Sequence, residues 1–284
     1  MQQSQRHRGG ALYGLYHTPA GRILLKALTA PPLSKCAGAF LDTPASARLI
    51  APFVKRTGID LSDYERRPFR SFNDFFTRRL ASGARSVDFD PQSLIAPCDG
   101  LLSVYPIRNG AVYPVKGVPY TLAGLLRSHT LAARFEGGLC LVFRLCVDNY
   151  HRYAFFDDGR LLRRYRIDGV LHTVRPAALE ARPVFVENCR EVSLMRTEHF
   201  GLAAQIEVGA MLVGRICNRR GVTEFARGEE KGWFEYGGST VVLLLQKDAA
   251  RPDRRFLAGE GEIPVRYGER IGGKAEAEQP GEPS

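Results

Sequence analysis

The sequence has no apolar run near the ~18–20 residues that a membrane-spanning helix requires, so no such helix is expected. Its six cysteines are scattered, without a CxxC pair or a dense framework, so neither a zinc site nor a disulfide scaffold is indicated. We therefore expect free thiols in a reducing compartment and no bound metal. The basic N-terminus is not followed by an apolar core, so a secretory signal is not expected either.

Acidic residues are scarce at the start of the chain. The 284 residues include 40 lysines and arginines against 30 acidic residues, a formal net charge of +10. Within the first 56 residues, Asp42 alone opposes eight basic side chains, so most of the excess charge lies there. A basic segment ahead of a nearly neutral body indicates an anionic partner, either a nucleic acid or an acidic lipid surface.

The first part of the chain has the pattern of short helices. Hydrophobic residues make up 44% and charged residues 25%, which is typical of a folded protein. Residues 11–60 predict amphipathic helices that are interrupted by proline, one of them over residues 21–29. Ser71 and Asp74 have the spacing of a helix cap, which predicts a helix that buries Phe76 and Leu80 on one side.

From about residue 92 the pattern changes to that of β-structure. Short runs of valine, isoleucine, leucine and aromatic residues alternate with glycine, asparagine and aspartate turns. No strand–helix–strand alternation is visible, so a doubly wound parallel sheet is not expected. The sequence therefore predicts an α+β fold: short amphipathic helices followed by a mainly antiparallel β-sandwich or barrel-like body.

The turn at residues 237–240 precedes a strongly apolar strand. On pattern alone it is a β-turn before a buried strand. A second interpretation is chemical, because a Gly238–Ser239 bond in a strained turn lets the serine hydroxyl attack the preceding carbonyl. The resulting ester can eliminate to dehydroalanine, which hydrolyses to a pyruvoyl group. The glycine–serine pair alone does not decide between the two.

Two other segments carry polar residues among apolar ones. His151 lies between aromatic residues in 147–159, where a lone histidine is usually a core or edge residue. Asp99 precedes a glycine in the turn APCDG at 96–100, a common hairpin composition. Neither segment indicates a function by itself.

Together the three segments resemble the phosphatidylserine decarboxylase family, whose members make their own pyruvoyl cofactor by self-cleavage. Further ordered motifs over roughly residues 11–271 agree with the resemblance. They are SFNDFFTRRL (71–80), APCDG (96–100), VKGVPYTLAGLL (115–126), FEGGLCLVFRL (135–145), NYHRY (149–153), ENCREV (187–192), IEVGAMLVGRI (206–216) and RGEEKGWFEYGGST (227–240).

The resemblance implies cleavage between Gly238 and Ser239, giving a large chain of residues 1–238 and a small chain of residues 239–284. Ser239 would become the covalent pyruvoyl cofactor, and Asp99 would orient the histidine that deprotonates its hydroxyl. The amine of phosphatidylserine would form a Schiff base with the pyruvoyl carbonyl, which drives loss of CO2. His151 would protonate the resulting carbanion, and hydrolysis would release phosphatidylethanolamine.

The sequence departs from the commonest family pattern at residue 154. Many members carry a second histidine three residues after the first, and that histidine is usually given the role of base in self-cleavage. Here the position is Ala154, which cannot take a proton. Either His151 serves both steps or another histidine substitutes, and His172 is the candidate. A strand-edge histidine is an equally good interpretation of His172.

These observations predict three segments: a basic membrane-associating helical segment (1–60), a catalytic β-rich domain (61–271) and a disordered tail (272–284). We expect a peripheral enzyme on the cytoplasmic face of the cell membrane, acting on phosphatidylserine in an anionic surface. The large and small chains should stay associated, and a homodimer is left open.

Two alternatives are an unprocessed, inactive family member that binds lipid and a basic nucleic-acid-binding β-protein. A nucleic-acid-binding protein should carry its basic residues, interleaved with exposed aromatics, on the β-rich body. The excess charge lies in the N-terminal helices instead, so no nucleic-acid partner is expected. The retained Asp99, His151 and Ser239 argue against an inactive member.

Overall fold

The helices of the chain lie mostly ahead of its strands. The computed structural model describes residues 11–29, 31–115, 118–174, 176–210, 215–237, 239–257 and 261–275. The described helices are α1 Ala11–His17, α2 Pro19–Leu28, α3 Pro31–Leu41, a 3-10 helix Pro44–Leu49, α4 Ile50–Thr57, α5 Phe72–Phe76, α6 Leu122–Leu126, α7 His129–Ala133, α8 Pro176–Leu179, α9 Val184–Glu187 and a second 3-10 helix Arg254–Phe256. None of them is long and apolar enough to cross a bilayer.

The strands begin at Ser93 and pair antiparallel in all three sheets, so the predicted α+β fold is confirmed. They are β1 Ser93–Ile95, β2 Gly100–Arg108, β3 Ala111–Val115, β4 Val118–Thr121, β5 Leu139–Leu145, β6 Arg152–Ala154, β7 Gly159–Ile167, β8 Arg190–Thr197, β9 Leu202–Val208, β10 Ile216–Asn218, β11 Glu224–Phe225, β12 Glu230–Phe234, β13 Ser239–Leu245, β14 Ala250–Pro252, β15 Ile263–Val265 and β16 Arg270–Lys274.

The main sheet has ten strands in the order β11-β7-β8-β9-β13-β5-β2-β3-β4, with β15 paired to β2. Its end strands β11 and β4 are not paired with each other within the described residues, so the barrel-like body expected from the sequence is an open sheet. Two three-stranded sheets, β1-β16-β14 and β10-β12-β6, accompany it.

Strand β13 lies in the interior of the main sheet, between β9 and β5. All seven of its residues are buried, because the run STVVLLL has apolar side chains on both faces. Its first residue, Ser239, pairs with Leu145 at the end of β5, and Thr240 pairs with Val208 at the end of β9. The register therefore places Ser239 at the edge of the hydrophobic core.

Helix α5 begins where the sequence predicts and ends earlier. The Ser71 hydroxyl accepts a hydrogen bond from the Asp74 amide at 3.1 Å, which is the expected cap. The helix stops at Phe76, and Leu80 forms a β-bridge with Tyr64. The long helix predicted up to Leu80 is therefore wrong, because strand pairing takes over the backbone hydrogen bonds after one turn.

The last described strand enters the segment that the sequence analysis assigns to a tail. Strand β16 includes residues through Lys274 and pairs with both β1 and β14. The boundary predicted at residue 272 therefore falls inside a strand. Residues 276–284, the rest of the predicted tail, lie outside the described residues.

Candidate active site

The turn before β13 is attached to helix α5. The Tyr236 amide donates to Asn73 Oδ1 at 3.1 Å, and the Tyr236 ring packs edge-on against Phe72 and Phe76, with ring centroids 5.0 and 5.1 Å away. Gly237 follows with a φ of 135°, a conformation that favours glycine. Helix α5 therefore fixes the chain just ahead of the predicted cleavage bond. Gly238 itself lies outside the described residues.

Ser239 is the first residue of β13 and is fully buried. Its hydroxyl makes no hydrogen bond within the described part of the chain. A buried polar group without a partner costs about 1–3 kcal/mol. Other buried hydroxyls, such as that of Thr240, share this state, so the position at the glycine turn is what distinguishes Ser239. The unpartnered hydroxyl at a glycine turn makes Ser239 the strongest candidate nucleophile of the site.

His151 is brought to this turn by the loop that follows β5. The Cys146 amide donates to Asn149 Oδ1 at 2.8 Å, which closes the loop two residues before the histidine. The imidazole is fully buried and packs against the Phe76 ring at a tilt of 36°, with ring centroids 4.0 Å apart. Its Nδ1 lies 2.9 Å from the Asn149 carbonyl oxygen, and because a carbonyl only accepts, Nδ1 carries the hydrogen.

That tautomer leaves Nε2 of His151 as an acceptor. Nε2 is buried and has no hydrogen-bond partner among the described residues, although the backbone of Gly237 lies close to the ring. Burial, reinforced by the positive charge of Arg78, lowers the pKa of His151 to about 3. The backbone of Asn149 and Gly237 opposes this shift only partly. The imidazole is therefore neutral at physiological pH and can accept a proton.

Arg78 is a buried residue of this site that the sequence analysis did not single out. Its guanidinium donates to the Asp148 and Asn149 carbonyls at 3.2 and 3.3 Å and to the Tyr64 hydroxyl at 3.3 Å. Arg78 and His151 thus share the Asn149 carbonyl oxygen. In the sequence, Arg78 is marked only by its place in the motif at 71–80. Composition does not predict that an arginine is buried.

Asp99 contacts the residue before His151 rather than its ring. The buried carboxylate accepts from the Arg85 guanidinium, from the Tyr267 amide at 2.9 Å and from the Tyr150 amide at 3.3 Å. Within the described residues no histidine hydrogen-bonds to it. The structure therefore does not bring Asp99 into the direct contact with a histidine that the predicted relay requires.

Ala154 stands where many family members have a second histidine. Its amide donates to the Pro97 carbonyl at 2.8 Å, which ties β6 to the turn that carries Asp99. Ala154 also lines a cavity of about 300 Å³ together with Arg85 and Tyr150. The methyl group of Ala154 therefore borders the same cavity as Arg85, the arginine that pairs with Asp99.

His172 lies in a separate group of residues. Its Nδ1 is 3.2 Å from the Tyr16 hydroxyl of α1, and its Nε2 is 3.3 Å from a Glu187 carboxylate oxygen. The Asn188 side chain fixes its backbone by accepting from the amide at 2.9 Å and donating to the carbonyl at 2.8 Å. Burial lowers the pKa of His172. Both ring nitrogens are therefore engaged away from Ser239.

Within the described part of the chain, one group of side chains has the residue types and spacing of a metal site. Asp157, Asp158 and His199 have ligand atoms within 4.8 Å of one another. The Asp157 carboxylate already accepts from the Arg227 guanidinium and from His199 Nδ1, each at 2.8 Å. Its charge is thus balanced by the protein, and these contacts join the turn before β7 to the turn after β8.

The arrangement around β13 offers a candidate nucleophile and a candidate base. The serine hydroxyl is buried at a glycine turn, and a neutral imidazole with an unpartnered Nε2 lies near Gly237 of the same turn. An enzyme that cleaves its own backbone needs such a hydroxyl and such a base. An α+β chain with this pair is therefore a candidate self-processing enzyme.

Comparison with known proteins identifies the family. Residues 72–273 match the phosphatidylserine decarboxylase family. The chain is 42% identical to phosphatidylserine decarboxylase proenzyme 2 of Clostridium acetobutylicum, covering 94% of this chain and 93% of that protein. It is 39% identical to the phosphatidylserine decarboxylase proenzyme of Desulfitobacterium hafniense, over 90% of this chain and 89% of that protein. It is 37% identical to the proenzyme of Clostridium botulinum, over 91% of this chain and 90% of that protein.

The chain belongs to the phosphatidylserine decarboxylase family, as the sequence motifs predict. The family consists of carboxy-lyases that depend on a pyruvoyl group, and the relatives are named as proenzymes, that is, precursors that are processed. Nothing in these comparisons favours the lipid-binding or nucleic-acid-binding alternatives.

Proposed function

We propose that the chain is a proenzyme that cleaves itself between Gly238 and Ser239 and then converts phosphatidylserine to phosphatidylethanolamine and CO2. The observation that supports this most strongly is the buried, unpartnered hydroxyl of Ser239 at a turn whose Gly237 backbone lies close to a neutral His151. Membership in a family of pyruvoyl-dependent decarboxylases supports the same activity.

In the self-cleavage step, His151 Nε2 accepts the proton of the Ser239 hydroxyl, and the oxygen attacks the carbonyl carbon of Gly238. The bond from that carbon to the Ser239 nitrogen breaks, and the nitrogen takes up the proton, so an ester replaces the amide. Removal of the Ser239 α-proton expels the Gly238 carboxylate and leaves dehydroalanine. Addition of water and loss of ammonia then give the pyruvoyl group.

In the decarboxylation step, the pyruvoyl group supplies an electron sink for the pair released as the carboxylate leaves. We assign to His151 the delivery of a proton to the carbon that loses CO2. Because its Nδ1–H is held by the Asn149 carbonyl, this proton is carried on Nε2, which first accepts it from the substrate ammonium as that group reacts and then returns it to the carbon.

We assign both proton transfers to His151 rather than dividing them with His172. Both nitrogens of His172 are engaged by Tyr16 and Glu187, whereas Nε2 of His151 is open. Asp99 acts in this scheme as a support, because it accepts from the amide of Tyr150, the residue before His151. This assignment accounts for an active site that lacks a histidine at residue 154.

In this proposal the N-terminal helices bind the protein peripherally to the cytoplasmic face of the membrane. The enzyme takes its lipid substrate from that surface. Ile23 and Leu24 of α2 are 76% and 55% exposed and lie beside Lys26. Exposed apolar side chains next to basic ones are the composition of a helix that lies in an anionic membrane surface. Segment 1–60 would then dock the catalytic domain 61–271.

The purified protein provides the test. Denaturing electrophoresis should show two chains, the smaller beginning at residue 239 with an N-terminus that resists Edman sequencing, and vesicles of phosphatidylserine should yield phosphatidylethanolamine. The variant Ser239→Ala should remain a single chain of 31.5 kDa without activity. A wild-type chain that stays intact, or one that is cut and inactive, would contradict the proposal.

A further inference from the structure

A basic pocket of about 680 Å³ lies between the α6–α7 segment and strands β7 and β8. Four arginines line it: Arg127, Arg134, Arg163 and Arg166. Its one acidic lining residue, Asp168, is 92% exposed at the side chain and pairs with Arg166 at 3.1 Å. The other three arginines have no carboxylate partner within the part of the chain that the structure describes.

A fifth arginine, Arg190, contributes positive charge close to the pocket. Arg190 is fully buried, and its guanidinium donates to the Gly124 and Leu125 carbonyls of α6 at 2.7 and 2.8 Å and to two further carbonyls. Burial and the nearby Arg127 lower its pKa to about 10, so it is still charged at neutral pH. No carboxylate of the described residues pairs with it, so its positive charge adds to the potential of the pocket.

Apolar and aromatic residues also line the pocket. Leu131, Ile167 and Leu194 line it between the arginines. The Tyr165 hydroxyl donates to the Leu126 carbonyl at 2.7 Å, and the Arg163 guanidinium stacks on the Tyr165 ring at 4.9 Å. Four arginines together with apolar residues in one pocket match a ligand with a phosphate and an apolar part, because a guanidinium binds two phosphate oxygens at once.

The pocket is separate from the cleavage site. Ile167 pairs with Arg190, Arg190 pairs with Val208, and Val208 pairs with Thr240. The pocket edge thus lies three strands from the residue after Ser239, roughly 14 Å at the usual spacing of strands.

We propose that this pocket is a second anion site that binds the phosphate of an amphipathic ligand, the chemistry of a phospholipid headgroup. A soluble organic phosphate has the same charge, so the test must distinguish the two sources. The proposal does not rest on the proposed decarboxylation, because it uses none of the residues around Ser239.

The test compares the double variant Arg134→Glu/Arg163→Glu with a control of equal charge, Arg254→Glu/Arg251→Glu, in the full-length protein. Arg251 and Arg254 are exposed and lie far along the chain. Binding is measured to phosphatidylcholine vesicles with and without phosphatidylglycerol, and calorimetry measures binding of glycerol 3-phosphate. An unchanged melting temperature and intact self-cleavage show that the variants are folded.

The pocket variant should bind phosphatidylglycerol vesicles about fivefold more weakly for each substituted arginine, while the control changes much less. If the pocket variant loses binding of glycerol 3-phosphate but binds phosphatidylglycerol vesicles as well as the control does, the source of the phosphate is a soluble ligand rather than a lipid. If the pocket variant and the control bind both probes equally, the proposal is wrong. Failure of self-cleavage in the wild type would affect only the proposed function.

Discussion

At the scale of single residues, the site depends on keeping His151 neutral and correctly oriented. Burial lowers its pKa, and the Asn149 carbonyl fixes the hydrogen on Nδ1. A neutral imidazole with an open Nε2 is the form that can take the proton of Ser239. In the proposed mechanism the chemistry therefore comes from the environment of one histidine rather than from a second one.

Replacing each histidine in turn identifies the base. His151→Ala should slow self-cleavage by about 10²–10⁴-fold, the usual contribution of a general base, whereas His172→Ala should leave most of the rate. The rate is followed as appearance of the small chain during cell-free synthesis. Loss of cleavage in His172→Ala with normal cleavage in His151→Ala would reverse the assignment.

Arg78 should act through the pKa of His151. Its positive charge disfavours the protonated ring, so Arg78→Gln should raise the pKa of His151, while Arg78→Lys keeps the charge. Because only the neutral ring is a base, cleavage is lost as the pH falls through that pKa. The acid side of the pH–rate profile should therefore move to higher pH in Arg78→Gln alone; identical profiles for both variants would contradict this role.

Some of these residues could be predicted from the sequence and others could not. Ser239 and His151 stand in recognisable motifs, so their places in the chain indicate their chemistry. The contacts of Asp99 and the burial of Arg78 could not be predicted, because they depend on how residues about 14 and 70 positions apart meet in the fold. The alanine at residue 154 indicates that the family's usual second histidine is absent, but it does not indicate which residue acts as the base instead.

At the scale of secondary-structure elements, helix α5 and strand β13 define the site between them. The helix holds the turn through the Asn73–Tyr236 hydrogen bond, and the strand holds Ser239 in register with β5. The capping pattern predicted where α5 begins, and the apolar run predicted that β13 is buried. Strand order and register could not be predicted, because a strand that is apolar on both faces can pair in several ways.

Substitutions on α5 separate positioning of the turn from stability of the helix. Asn73→Ala leaves the half-buried Tyr236 amide without its partner, so self-cleavage should slow and the unfolding free energy should fall by about 1–3 kcal/mol. Ser71→Ala removes only the helix cap, at a cost of about 1 kcal/mol, and should cleave at the normal rate once folded. Equal cleavage rates in both variants would show that the hydrogen bond to the turn is not needed.

At the scale of the whole molecule, the unequal distribution of charge and apolar surface matters most. The sequence predicted a basic helical segment ahead of a β-rich body, and the structure has that order of elements. The composition could not predict that the body is an open sheet, because closure depends on the curvature of the assembled strands. Nor could it predict the arginine pocket, whose residues come from four separate elements.

Docking by α2 can be tested with matched exposed side chains. Ile23→Ser should weaken binding to anionic vesicles by roughly tenfold or more, because burial of one isoleucine in the membrane contributes about 1.5–3 kcal/mol. Leu257→Ser changes a similarly exposed side chain outside the N-terminal segment and should have little effect. Sedimentation with vesicles measures both, and equal behaviour of the two variants would exclude α2 as the docking element.

The mass of the small chain tests the central claim most directly. Self-cleavage through Ser239 with formation of a pyruvoyl group should give a peptide of residues 239–284 that is lighter by one ammonia than the same peptide beginning with serine. The large chain should end at Gly238 with an ordinary carboxylate. A peptide that begins with an intact serine, a cut at another bond, or a single uncut chain would contradict the account.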